Sequence, residues 1–164
     1  MQEERYGTRD RTYSAWHRRK STRRFVGIER AQTLAVIDLD ASLYVEYDDG
    51  TQEPLALIET ARDIGQSYKT ATVTKKLAAR AKLPAFVLLY TPADLPNPAD
   101  DQWDDIRAFR AKMICPREES WKDFTPDAWC KYLVSLREYT AKRVDTEMDA
   151  ELNEWLKAYD SVKS

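Results

Sequence analysis

The sequence predicts an α/β fold: a mixed central sheet built in the order helix, strand, strand, strand, helix, strand, followed by an added C-terminal helical region. Three observations carry that expectation. Apolar, β-branched or alternating segments at 33–39, 43–47 and 55–59 are punctuated by Asp48-Asp49-Gly50, a tight-turn signal that closes a hairpin. The period then changes: between Ser67 and Ala81, Val73, Leu77, Ala78 and Ala81 recur at helical spacing, with Lys75, Lys76 and Arg80 on other faces. Finally, Ala85-Phe86-Val87-Leu88-Leu89-Tyr90 is a continuous apolar run, the mark of a strand covered on both faces.

Taken in order, residues 1–12 are polar and predict a flexible tail. Tyr13 to Lys20 suits a short helix with Thr12 or Ser14 as its N-cap. Phe25-Val26-Gly27-Ile28 reads as an extended segment or a tight connection, and Thr33 to Leu39 as a strand. Pro54 fits the first residue of the strand Leu55 to Glu59, where a lost N–H matters least. Pro84 ends the Lys/Ala-rich helix. Thr91 to Pro98 holds three prolines and predicts a loop. Trp103, Ile106, Phe109 and Met113 repeat at helical spacing, with Asp100, Asp101, Asp104 and Asp105 placed to favour that helix's N-terminus. Thr125-Pro126-Asp127 is a strong helix start, cap then proline, for a helix burying Trp129, Leu133 and Leu136. A last helix is expected over roughly Thr146 to Tyr159, using Met148, Leu152, Leu156 and Tyr159. The expected organisation is one domain over 1–164: the tail, an α/β core at 13–91 and a helical addition at 92–164.

A chain of 164 residues can bury about 70% of the surface its unfolded form exposes. Its 43% hydrophobic and 33% charged residues are those of a soluble globular protein. No apolar run approaches the roughly 20 residues that cross a bilayer. The polar start, Met1-Gln2-Glu3-Glu4-Arg5, lacks the apolar region of a secretory leader. Cys115 and Cys130 have no metal-like spacing and are expected as reduced thiols in a cytoplasm. The net charge of −2 conceals an asymmetry. Residues 1–30 carry nine Lys or Arg against four acids, and residues 62–82 carry six against Asp63, a local +5 in each case. Two basic segments flanking an acidic site suit phosphate-backbone binding combined with metal chemistry.

That acidic site is the sharpest signal. Asp38 and Asp40 end one apolar run and Glu59 ends another, 21 and 19 residues later. The hairpin brings these strand ends together, and Asp38 and Asp40, two apart, share a face of an extended chain. Hard carboxylate oxygens, with the Thr60 carbonyl, are the donors Mg²⁺ or Mn²⁺ requires. A lysine two residues after the glutamate would share its face and polarise attacking water, but that position is Ala61. Lys69 lies on the segment just after Glu59, with Gln66 and Tyr68 able to reach substrate or water from the same place. Arg62 is a poorer proton donor but a good phosphate clamp. His17, the sole histidine, reads as a structural hydrogen-bonder. No glycine-rich phosphate loop, Ser-His-Asp order or cysteine cluster supports an NTPase, a triad hydrolase or a zinc site.

Tyr13-Ser14-x-Trp16-His17-Arg18, then Ile37-Asp38-Leu39-Asp40, then Pro54-Leu55-Ala56-Leu57-Ile58-Glu59, resembles the PD-(D/E)XK, restriction-endonuclease-like superfamily and a group of small phage and prophage proteins within it. The similarity covers roughly residues 10–90. It implies an αβββαβ core and metal-dependent hydrolysis of nucleic acid, DNA first, in the cytoplasm of a bacterial host. Asp38 or Asp40 would be the central aspartate and Glu59 the motif carboxylate. Asp38, Asp40 and Glu59 would hold the metal; Asp40, Glu59, Lys69 and Gln66 would carry catalysis. Arg18, Arg19, Arg23, Arg24, Arg62, Lys75 and Lys76 would contact phosphates. The departure at Ala61 leaves two alternatives beside the nuclease: a catalytically degenerate nucleic-acid-binding module, or a phage accessory protein that binds a host protein through its acidic, Trp-rich tail. A homodimer is a further expectation for partners.

Overall fold

Leu55 to Glu59 and Ala85 to Leu89 are runs in which every residue is buried, so neither can lie at the edge of a sheet. In the computed structural model, which describes residues 12–18 and 21–163, both runs are central strands. The elements are α1 (Thr12–Arg18), α2 (Arg23–Val26), α3 (Ile28–Gln32), β1 (Ala41–Glu46), β2 (Gln52–Arg62), α4 (Thr72–Ala81), β3 (Ala85–Asn97), β4 (Asp100–Cys115), β5 (Lys122–Phe124) and α5 (Pro126–Lys163). The expected tail at 1–12 falls almost wholly outside the described residues, as does Arg19. The chain divides into two compact units, Met1–Asp38 and Leu39–Ser164.

In the first unit, the expected helix at Tyr13 to Lys20 appears as α1. The segment Phe25 to Ile28 is not extended: α2 and α3 abut at Gly27, whose φ of 81° is a conformation glycine adopts without strain. His17 Nε2 lies against the Leu34 carbonyl and His17 Nδ1 is 3.2 Å from the Tyr13 hydroxyl, the structural role its isolation suggests. Thr33 to Leu39 does not form the expected strand. An extended segment becomes a strand only when a neighbour takes its N–H and C=O groups, and here Leu34, Val36, Ile37 and Leu39 remain exposed.

The second unit holds a five-stranded mixed sheet in the order β1-β2-β3-β4-β5. β1 and β2 form the expected antiparallel hairpin, Ala41 facing Ile58 and Glu46 facing Gln52. Its turn is locked locally: Asp49 Oδ1 accepts from Thr51 N–H at 2.9 Å and from the Thr51 hydroxyl at 2.7 Å, and Gly50 supplies φ 83°. Pro54 lies inside β2, at the irregularity opposite Leu43 and Tyr44, where a bulge tolerates its missing donor. β2 runs parallel to β3 through α4, which starts at Thr72 rather than Ser67. α4 ends at Lys82, in the left-handed conformation with φ 56°.

Residues 92–124 differ most from expectation. The proline-bearing segment is not a loop but the continuation of β3, and the aromatic stripe is not a helix but β4. Beyond the Arg62–Tyr90 rung β3 has only β4 as a neighbour, so prolines on its open side cost no ladder bond. The register shifts at Pro92 and Pro96 absorb them. In β4, Phe109, Ala111 and Met113 alternate with Arg110, Lys112 and Ile114, a period of two beneath the apparent helical spacing. The helical addition is therefore confined to α5, a single 38-residue helix, because no glycine or proline follows Pro126 to break it. Its start is as expected: Ala128 N–H donates to Thr125 Oγ1 at 3.1 Å.

One face of the sheet buries Leu57, Val87, Leu89 and Ile114 under Ala78 of α4. The other buries Ile58, Leu88 and Ala111 under Trp129, and Ala56 and Phe86 under Leu136. Past Val144 every described side chain of α5 is exposed, including Met148, Leu152, Trp155 and Tyr159. Trp129→Ala should therefore cost about 3–5 kcal/mol in urea unfolding. Deleting 149–164 should lower helical circular dichroism yet leave the unfolding free energy within about 0.5 kcal/mol.

Candidate functional site

β2 carries a carboxylate into the interior: Glu59 is 8% exposed, the last residue of its buried run. A charge there must be paired and hydrogen-bonded. Two groups do this. Lys69 Nζ lies 2.7 Å from Glu59 Oε1, and the Thr74 hydroxyl donates to Glu59 Oε2 at 3.1 Å. Thr74 sits on the first turn of α4 and Lys69 in the connection 63–71, so the crossover after β2 supplies both partners. Ala61, on the same face two residues on, packs against the apolar cluster around Leu57 and Val87.

Asp40 adjoins this pair through the hairpin register. The ladder ends where Ala41 faces Ile58, and Asp40, just before it, reaches Thr60, the residue after Glu59. Asp40 Oδ2 accepts from Thr60 N–H at 2.8 Å and from the Thr60 hydroxyl at 3.2 Å, replacing a strand carbonyl just before β1 begins. Asp38 belongs to the first unit, where it pairs with Arg18 at 2.9 Å. Among the described residues no three His, Cys, Asp or Glu side chains converge as a ready cation cage.

The connection 63–71 is held by residues the sequence did not single out. Arg110 of β4 grips Asp63 through two hydrogen bonds, Nε to Oδ2 and Nη2 to Oδ1, each 2.9 Å, and also donates to the Gln66 carbonyl at 2.7 Å. Trp121 donates its indole N–H to the Ser67 carbonyl at 3.0 Å, and the Arg110 guanidinium lies 4.8 Å from its ring centre. Gln66 turns back on its own loop, accepting from Ile64 N–H at 2.7 Å and donating to the Arg62 carbonyl at 2.9 Å. The signal for Arg110 was the alternation of β4, masked by the aromatic spacing; Trp121, between β4 and β5, carried none.

Of the basic residues, Arg62 is exposed at the end of β2, and Lys75 and Lys76 are exposed on α4. Lys75 reaches Glu118 at 3.8 Å, and Lys112 of β4 reaches the same carboxylate at 2.9 Å. These two ammonium groups, Lys112 first, hold the Glu118 carboxyl below the usual range. In the first unit Arg24 lies 5.0 Å over the Phe25 ring and Arg23 is half-buried.

Comparison of the chain with family models, with curated proteins and with solved structures finds no match to any of them.

Hydrogen bonds from Arg110, then from Gly65 N–H, hold the Asp63 carboxyl below its ordinary value. A carboxyl depressed in the folded state stabilises it above the unfolded pKa, and loses that contribution as pH falls through the folded pKa. Asp63→Asn should therefore cost about 1–3 kcal/mol at neutral pH. In urea unfolding across a pH series, that gap to wild type should narrow below about pH 3.9.

Proposed function

We propose that this chain is a phage-type, PD-(D/E)XK nuclease-like protein that hydrolyses phosphodiester bonds in nucleic acid, DNA first, with Mg²⁺ or Mn²⁺. The observation that carries the reading is the 2.7 Å contact between Lys69 and Glu59. It gives the buried carboxylate an ammonium partner although the position two residues on is Ala61. Asp40, bonded to Thr60 next to Glu59, is the second carboxylate.

The donors suit a hard divalent ion. Each Glu59 oxygen accepts one hydrogen bond and retains a second lone pair, and Asp40 spends only Oδ2 on Thr60. Asp40 and Glu59, with the Thr60 carbonyl, would hold the ion, which when bound supplies Lewis-acid neutralisation of phosphoryl charge and a more acidic water. Lys69 then serves as the proton-handling cation beside the attacking water, and Thr74 keeps the Glu59 carboxylate in one orientation. Gln66 shapes the turn that carries Lys69. Arg62, Lys75 and Lys76 lie on the same unit and suit phosphate contacts. Asp38, Arg18, Arg19, Arg23 and Arg24 fall in the first unit and enter the proposal through the resemblance alone.

The decisive experiment incubates the purified, folded protein with Mn²⁺ and single-stranded DNA, duplex DNA or RNA. Cleavage of at least one is expected. Lys69→Ala and Glu59→Gln should each lower the rate by about 10²-fold or more while circular dichroism is unchanged. Ala61→Lys introduced into Lys69→Ala should recover part of it. No cleavage of any substrate by folded wild type would overturn the proposal. Ala61 also favours a second reading, a binding module whose Glu59–Lys69 pair is structural. That reading requires salt-sensitive binding, independent of metal and unchanged in Glu59→Gln.

A further inference from the structure

We infer that the cavity on the α4 face of the sheet is a subsite for an unpaired nucleobase, so that the strand engaged at Glu59 is single-stranded or locally opened. The inference rests on the phosphodiester reading of Asp40, Glu59 and Lys69 and specifies its substrate class. Glu59 of β2 faces Val87 of β3, which faces Lys112 of β4, so the three form one row across the sheet. Two strand spacings of about 4.8 Å put Lys112 roughly 10 Å from Glu59. α4 and the connection before it cover the β2 end of this row through Thr74 and Lys69. Over the β3–β4 end lies a cavity of about 400 Å³, with Lys69 in its wall and Val87 and Ile114 in its floor. One side chain, Lys69, thus belongs both to the Glu59 pair and to the cavity.

The lining fits a nucleobase with its phosphates better than an apolar ligand. Four lysines, 69, 75, 76 and 112, border the cavity against one acid, Glu118. Glu118 answers Lys112 and Lys75, and Glu59 answers Lys69; Lys76 has no ion pair among the described residues. Two aromatic side chains stand among these cations. Trp121 is fixed by its bond to the Ser67 carbonyl and by the guanidinium of Arg110, while Tyr68, next to Lys69, is 64% exposed. Aromatic faces beside ammonium groups are how single strands are held without sequence preference, base on ring and phosphate on cation. The volume is within the roughly 300–1,000 Å³ of small-ligand pockets. A base paired and stacked in a duplex cannot enter it; one that does must be unpaired.

The test separates binding from cleavage by working in EDTA. Fluorescence anisotropy follows a short labelled oligodeoxynucleotide of mixed sequence, single-stranded or annealed as a blunt duplex, binding to Glu59→Gln protein. The single strand should bind about tenfold tighter than the duplex. Adding Tyr68→Ala should abolish that preference, Tyr68→Phe should retain it, and Lys76→Ala should reduce the salt slope by about one. Equal affinity for the two forms, or an unchanged preference in Tyr68→Ala, would overturn the subsite whether or not wild type cuts. A single-strand preference that depends on Tyr68, in a protein that never cuts, would sustain the subsite and remove the nuclease.

Discussion

Burying Glu59 in a central strand sets the terms for everything around it. β2 is covered by β1 and β3 at its edges, α4 on one face and α5 on the other, and that cover leaves little water for a carboxylate at the end of the run. Desolvating an unpaired carboxylate would cost several kcal/mol, a large fraction of the stability of a domain this size. The chain answers with a charge from Lys69 and a hydroxyl from Thr74. Since both follow Glu59 within 15 residues, the crossover that makes β3 parallel to β2 also neutralises the acid that the crossover buries.

A cation delivered by a connection rather than by a strand needs outside support. A strand lysine at 61 would have been aimed by the pleat alone, whereas Lys69 depends on how 63–71 is held. Arg110 provides that hold from the opposite side of β3. Its guanidinium joins the Asp63 carboxylate, the Gln66 carbonyl and the Trp121 ring, and Trp121 in turn fixes Ser67. The planar, multiply donating guanidinium can make those contacts at once, and a lysine cannot. β4 thereby contributes to the site through the connection that carries Lys69.

The parts of this arrangement that were legible in the sequence are those written in local chemistry. The Asp-Asp-Gly turn gave the hairpin, which brings Asp40 to Thr60, the residue after Glu59. The 3.6-residue period gave α4, the apolar run gave β3, and the Thr-Pro-Asp cap gave the start of α5. What was illegible depends on partners distant in the chain. Residues 92–115 pattern well enough as loop and helix, and only the ladder between β3 and β4 selects the strand. Thr33 to Leu39 is the converse case, strong strand propensity without a neighbour to pair it. Arg110 and Trp121 went unnoticed because their importance is to a loop more than 40 residues away in sequence.

Ala61 takes on a different meaning in this setting. Its side chain packs with Leu57 and Val87 beneath the crossover, where it adjoins an apolar cluster. A lysine there would bring a second ammonium to the face on which Lys69 already meets Glu59. The small residue and the crossover lysine fit together: Ala61 packs on the apolar cluster, and the crossover brings a charge to Glu59. From the crossover, Lys69 also enters the wall of the open cavity on the β3–β4 side. A lysine that touches both the buried carboxylate and that cavity links the acidic edge of the hairpin to the basic, aromatic-lined face beside it.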